Sequence, residues 1–253
     1  MKLIKTMFVL LVAVSFISCG SGKEKKNAEK KSAEMSTTEA EVWTFLFDGS
    51  GTQGWRNYNK PTFPAQGWEI VDGTLHCIGS GRGEAGGGGG DIIYDKKFSN
   101  FHLKLEWKIS EGGNSGIFYL AQEAPEWDYI YKTAPEMQVL DNAKHPDAQA
   151  GKDGNRQAGS LYDLIPAKPQ NAKPAGEWNT AEIKVYKGSV WHIQNGETVL
   201  EYHLWTPEWN TLVAGSKFPA LNPDWANVAQ EGYIGVQDHG DDVWYRNIQI
   251  REL

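Results

Sequence analysis

From Phe101 the chain alternates: Phe101, Leu103, Leu105, Trp107 and Ile109 are apolar, and polar residues stand between them. A strand sends successive side chains to opposite faces, so this spacing predicts a strand with one face in a core. Similar short runs recur along the chain. Trp43–Phe47 reads as a strand ending in a turn that continues through Trp55. Residues 67–79 read as a hairpin around Asp72-Gly73, a pair suited to a two-residue turn. Further strands are predicted at 91–94, 98–109, 157–165, 178–186, 189–194, 198–203, 232–237 and 243–253, with Asn195-Gly196 joining two of them. Residues 80–90 are nearly all glycine and read as a flexible loop that could act as a lid; 143–156 and 166–176 are polar loops, and 207–230 is irregular. No stretch holds a helical period. Many short strands joined by Gly, Asn and Asp turns predict an all-β sandwich or jelly roll, a single domain over residues 42–253.

One stretch departs from the core pattern. Residues 111–142 contain two short strand-like runs. Asn114 and Ser115 open the first; in the second, Glu136 and Gln138 alternate with Met137 and Val139. Met137 and Val139 then face a core, and Glu136 and Gln138 line something polar. A solvated sheet face has the same pattern. Pro135 starts the run abruptly and Asp141-Asn142 end it with two more oxygen-bearing side chains, which favours a site.

The N-terminus is of another kind. Lys2 and Lys5 precede an apolar run from Met7 to Ile17, and F-I-S-C-G follows. That order is a secretory signal over residues 1–18, too short for a comfortable membrane span. It resembles the bacterial lipobox, which implies cleavage before Cys19, a lipid on its sulfur and attachment to a membrane surface. Residues 19–41 are charged and lack aromatics, as a disordered tether would. Gly20 to Lys26 carries no acidic cluster, so the anchor is expected to face the periplasm. Cys77 is the one other cysteine, so the mature domain holds no internal disulfide, and Cys77 reads as a small core residue. The net charge is -7, and nothing along the chain resembles the basic stripe of a nucleic-acid binder. The 11 tryptophans are core material first, and in an exported protein they also favour a carbohydrate partner.

Five ordered motifs, G-G-N-S-G-I-F-Y, E-M-Q-V-L-D-N, A-G-S-L-Y-D-L-I-P, G-E-W-N-T-A-E-I and G-Y-I-G-V-Q-D-H-G-D-D-V-W-Y-R-N-I-Q-I, resemble the 3-keto-disaccharide hydrolase family. The resemblance spans about Trp43 to Leu253. It implies a concanavalin-like jelly roll of two antiparallel sheets, a carbohydrate site on its concave face, and cleavage of glycosides whose sugar carries a ketone at C3. That ketone acidifies the proton on C2. A base removes it, the C1 substituent leaves, and water adds back. The route needs a base, donors for the enolate oxygen and an acid for the leaving oxygen.

Glu136 is the candidate base, with a solvated carboxylate paired to Arg246 as the plain alternative. His239, in Q-D-H-G, is the candidate acid or second base, and its neighbouring carboxylates are expected to raise its pKa. Asn114, Gln138 and Gln237 suit sugar hydroxyls; Arg246 and Lys217 are candidate cations for an enolate; Tyr162 joins the substrate-binding set. A divalent metal ion is left open, with Glu136, Asp141 and Asn142 as oxygen ligands. His145 and Asp147 read as solvated loop residues. E-M-Q-V-L-D also resembles the E-x-D-x-x-E motif of laminarinase-type retaining glycosidases, with Gln138 in place of the middle acid and Asp141 in place of the last. That enzyme and a non-catalytic sugar-binding module are the alternatives.

Overall fold

The computed structural model describes residues 42–83 and 85–253. The expected signal segment, Cys19 and the expected tether lie outside them. Thirteen strands form two antiparallel sheets. They are β1 (Thr44–Phe47), β2 (Trp55–Asn57), β3 (Trp68–Val71), β4 (Thr74–Cys77), β5 (Ile92–Phe98), β6 (Phe101–Ile109), β7 (Asn114–Ala121), β8 (Glu136–Leu140), β9 (Asn179–Tyr186), β10 (Ser189–Gln194), β11 (Glu197–His203), β12 (Gly232–Val236) and β13 (Val243–Glu252). The larger sheet runs β11-β10-β9-β6-β13-β4-β3, with β1 on the far half of β13; the smaller runs β2-β5-β12-β7-β8.

Alternation decides which faces meet. Leu103, Leu105 and Trp107 of β6 and Tyr245 and Ile248 of β13 pack in one core with Ile117 and Tyr119 of β7, Met137 and Val139 of β8, and Val236 of β12. Cys77 is buried in that core, and burial pushes its thiol pKa far up, as expected of a packing residue. The alternate positions Ile93 and Phe118 belong to a second, smaller cluster with Tyr58 and Ile130, on the other face of the smaller sheet. Glu136 stands directly opposite Phe118, and Gln138 opposite Gly116, so they share that outer face. Asp72 (φ 50°) and Gly73 (φ 71°) turn the β3–β4 hairpin, and Asn195 (φ 51°) and Gly196 (φ 81°) the β10–β11 hairpin, as their residue types predict.

Three segments differ from expectation. Residues 157–165 form no strand. Leu161 makes single bridges to Met137 and Ile165, and Asp163 sits at φ 61°, so the chain doubles back. It still covers the free edge of β8: Gln138 donates to the Ser160 carbonyl and Tyr162 to that of Glu136, both at 3.0 Å. Residues 207–230 contain α1 (Pro207–Ala214) and α2 (Phe218–Leu221). Thr206 caps α1 by accepting from the Trp209 amide at 3.1 Å. Only Trp209 and Val213 of α1 are buried, too few positions to show a period. β2 stands where a turn was expected.

The glycine-rich loop is not a free lid at its ends. Ser80 and Gly81 donate to the Gly240 carbonyl at 2.9 and 3.0 Å. Fully buried Asp238 accepts from the amides of Gly89 (2.7 Å), Gly90 (2.9 Å) and Gly240 (2.9 Å). A Cβ at Gly87 would overlap the Asp238 carboxylate, so glycine is needed where the loop passes over it.

Candidate active site

Four side chains leave the strands for the outer face of the smaller sheet and meet in one cleft of about 290 Å³: Asn114 from β7, Glu136 and Gln138 from β8, and Gln237 just past β12. His239 follows in the turn that Asp238 anchors. Tyr162, Lys217 and Phe218 form a wall, with Leu221, Tyr131 and Ala85 completing the lining. Residues far apart in sequence thus converge, as a ligand site requires.

The floor is buried, and much of its polar surface has no partner in the protein. Glu136 is 6% exposed, and its carboxyl makes no hydrogen bond among the described residues. Burial pushes its pKa up to about 8, against the opposing pull of the Lys217 ammonium. Asn114 Oδ1, Gln138 Nε2, Gln237 Oε1 and His239 Nδ1 are buried without a hydrogen-bond partner. Buried polar groups are nearly always paired, so four that find no partner in the protein and face one cleft are groups a polar ligand would engage. Gly116 makes the arrangement fit: a Cβ there would overlap the Glu136 carboxyl lying across β7. Gly116→Ala is therefore expected to displace that carboxyl and lower kcat/KM by about 10²-fold, with little change in the unfolding midpoint. Unchanged turnover would show that the position of this carboxyl is immaterial.

His239 departs from expectation in its charge. Burial lowers its pKa, and this outweighs the upward pull of Asp241. Desolvation opposes an imidazolium more than one half-buried carboxylate favours it. Asn114 Nδ2 donates to His239 Nε2 at 3.4 Å, which leaves the proton of a neutral ring on Nδ1. Asp241 accepts from the Asn114 amide at 3.0 Å and ties the two segments together.

A polar chain backs the wall. Lys217 Nζ donates to Tyr162 Oη (3.1 Å) and lies 4.3 Å from the centre of that ring. Tyr162 Oη donates to Asp147 Oδ2 (2.7 Å), and Arg156 donates to Asp147 Oδ1 (2.9 Å) and to Asp163. The Tyr162 pKa is raised by burial, then by Glu136 and by its bond to Asp147, so it keeps its proton. Lys217 counts as an exposed residue, yet desolvation of its ammonium lowers its pKa. Asp147 and His145, read as solvated loop residues, are half-buried and stand behind residues that line the cleft. A short turn of helix over Pro146–Gln149 brings Asp147 to Tyr162, and the His145 ring centre is 6.2 Å from that of His239. Tyr162 was among the expected substrate-binding residues, but its pairing with Asp147 and that of Asp147 with Arg156 could not be read from the sequence.

Two other expectations fail. Arg246 neighbours core-facing Tyr245 on β13 and points the opposite way, off the larger sheet. It donates to Glu106 (3.0 and 2.6 Å) and stacks 4.0 Å from the Trp178 ring centre, so it neither pairs with Glu136 nor reaches the cleft. Asp141 and Asn142 do not join Glu136 as a ligand set. Asp141 accepts from the amides of Gly112 (2.8 Å) and Ala143 (3.0 Å), and Asn142 from that of Ala158 (2.8 Å), because β8 has ended and their oxygens cap turns. These three residues do not fit a metal cage.

Residues 42–251 match the family described as a 3-keto-alpha-glucoside-1,2-lyase-like domain. The chain belongs to this family. It is 49% identical, over 96% of either chain, to a 3-keto-disaccharide hydrolase of Bacteroides thetaiotaomicron. The crystal structure of a candidate glycosyl hydrolase from Parabacteroides distasonis superposes with a TM-score of 0.74 at 30% identity, covering 85% of this chain and 95% of that one. A Bacillus subtilis protein with a galectin-like fold gives 0.52 at 15% identity over 83% and 94%, a likeness of fold alone. Family and architecture therefore agree with the jelly-roll sandwich read from the strand pattern.

Proposed function

We propose that this protein cleaves 3-keto-glycosides by removing the C2 proton, eliminating the C1 substituent and adding water. Membership in the family makes it a glycoside-cleaving hydrolase; the route is our reading of the cleft. The supporting observation is a buried, unpartnered carboxyl at Glu136 surrounded by four orphaned polar groups. A carboxylate with a raised pKa is a stronger base, suited to a carbon acid.

In this reading Glu136 takes the C2 proton. His239 Nδ1–H and Gln138 Nε2–H donate to the C3 oxygen as it becomes an enolate, held ready in a buried floor. A neutral imidazole suits that role, since it donates without holding a competing charge. Asn114 Oδ1 and Gln237 Oε1 accept from sugar hydroxyls. Glu136 is the one carboxyl among the described residues lining the cleft, whereas a retaining glycosidase needs two about 5 Å apart. That favours elimination over a laminarinase-like double displacement. Carbohydrate is the partner. Attachment to the envelope through Cys19, facing the periplasm, completes the proposal.

The test uses a 3-keto-glucoside and its unoxidised parent in deuterated water. Cleavage of the keto sugar with deuterium at C2, and an untouched parent, is the expected result. Equal turnover of both sugars would replace this reading with the two-carboxylate one. Binding of the keto sugar with neither exchange nor product would leave only a sugar-binding module.

A further inference from the structure

We propose that Lys217 is the proton donor to the departing oxygen, held in place by Tyr162 and Asp147. The proposal rests on the elimination just described and adds the group it lacks. Removal of the C2 proton by Glu136 gives an enolate. For the C1–O bond to break, its electron pair must leave with the aglycone oxygen, and an alcohol leaves readily only if that oxygen gains a proton as it goes. The C3 carbonyl re-forms, a C1–C2 double bond appears, and the proton comes from the protein.

The geometry points to Lys217. It is the one cationic side chain among the described residues lining the cleft. The direction of its hydrogen bond is settled by the next link. Tyr162 spends its hydroxyl proton on Asp147, so its oxygen can only accept from Lys217. Asp147 is itself held by Arg156, which is braced on Asp163. Of the three ammonium protons, one is used to fix the side chain and two remain for a ligand. Lys217 also enters from the segment over the sheet, beside Phe218 and Leu221, whereas Glu136 and Gln138, assigned to the C2 proton and the C3 oxygen, rise from β8 below. After the aglycone departs, the neutral amine can take a proton from the water whose hydroxyl adds to C1, and Glu136 returns its proton to C2. Both groups are then reset and atoms balance. Tyr162 and Asp147 are positioning residues in this scheme.

The experiment compares Lys217→Met and Lys217→Arg with wild type on two 3-keto-glucosides, one with a 4-nitrophenyl and one with a methyl aglycone. Nitrophenolate needs no proton to leave; methoxide does. Lys217→Met is expected to lose about 10²–10⁴-fold on the methyl glycoside and less than about 10-fold on the nitrophenyl one. With the methyl glycoside in deuterated water it should still exchange the C2 hydrogen of recovered substrate, so that abstraction outlives cleavage. Lys217→Arg should not rescue the methyl glycoside, because guanidinium keeps charge but does not release its proton. Asp147→Asn should show the same aglycone dependence in milder form. Equal losses on both aglycones, loss of exchange together with cleavage, or rescue by arginine would each overturn the assignment, the last by making Lys217 a fixed charge. If wild type turns over neither compound, the failure lies with the proposed function instead.

Discussion

Glu136→Gln is expected to lose at least about 10³-fold in turnover of a 3-keto-glycoside, and to be more stable than wild type in alkaline solution. Both effects have one cause. The carboxyl is buried without a hydrogen-bond donor, and its pKa stands at about 8 instead of the ordinary 4.5. Below 4.5 it is neutral in both folded and unfolded chains, and the mutation has no electrostatic consequence. Between 4.5 and 8 the unfolded chain ionises first, so wild-type stability falls as pH rises. Above 8 the penalty is complete and constant. At about 1.4 kcal/mol per tenfold change in proton affinity, it is bounded at about 5 kcal/mol. Glutamine is nearly the same shape and carries no such penalty. Urea unfolding at pH 4 and pH 9 measures the difference directly: the two proteins should match at the acid end and diverge at the alkaline end. A gap that does not change with pH would mean that the carboxyl is not desolvated. The same titration governs the rate, since only the ionised form is a base. Wild-type kcat/KM should climb with pH towards 8 and fall again only where Lys217 loses its proton; a decline between 4.5 and 8 would assign Glu136 the role of an acid. A site that costs stability to poise a reactive group is an expected trade-off.

Asp238→Ala should be the most damaging single change to the fold around the site. Three glycine amides converge on this buried carboxylate, and its own amide donates to Asp91 at 3.1 Å. Alanine would leave three donors without their acceptor, the Gly240 amide in the interior and those of Gly89 and Gly90 half-buried, at up to about 1–3 kcal/mol each. A loss of several kcal/mol is therefore expected, read as a lower midpoint in urea unfolding. Because the same anchor holds the turn that carries His239, activity should fall even where the variant remains folded. Protection of the Gly86–Gly90 amides from hydrogen exchange should be lost before that of β6. A variant with wild-type protection in that loop would show that the carboxylate does not hold it.

Much of the sandwich was legible because strands write their burial locally. Phe101 to Ile109 alternate in the chain and alternate in space, since a pleated strand has no other option. Asp72-Gly73 and Asn195-Gly196 announced their hairpins for the same local reason, a backbone with positive φ at both residues. Glu136 and Gln138 were placed on a polar face by parity with Met137 and Val139 alone. Arg246 was a candidate for its charge alone, without knowledge of which sheet its strand joined, and it faces away from the cleft, paired with Glu106 and stacked on Trp178. The strand expected over residues 157–165 failed because its hydrogen bonds go sideways to β8 and back upon itself.

Local pattern thus determined the strand class, most of the hairpins and the facing of the floor residues, all of which depend on neighbours one or two positions away. Tertiary structure decided the rest. That Lys217 meets Tyr162 across 55 positions, that Asp147 joins them from a polar loop, and that Asp238 ties a glycine run to the His239 turn are contacts between segments remote in the chain. The charge of His239 belongs with them, because desolvation is set by what packs around a ring and not by the carboxylates beside it in sequence.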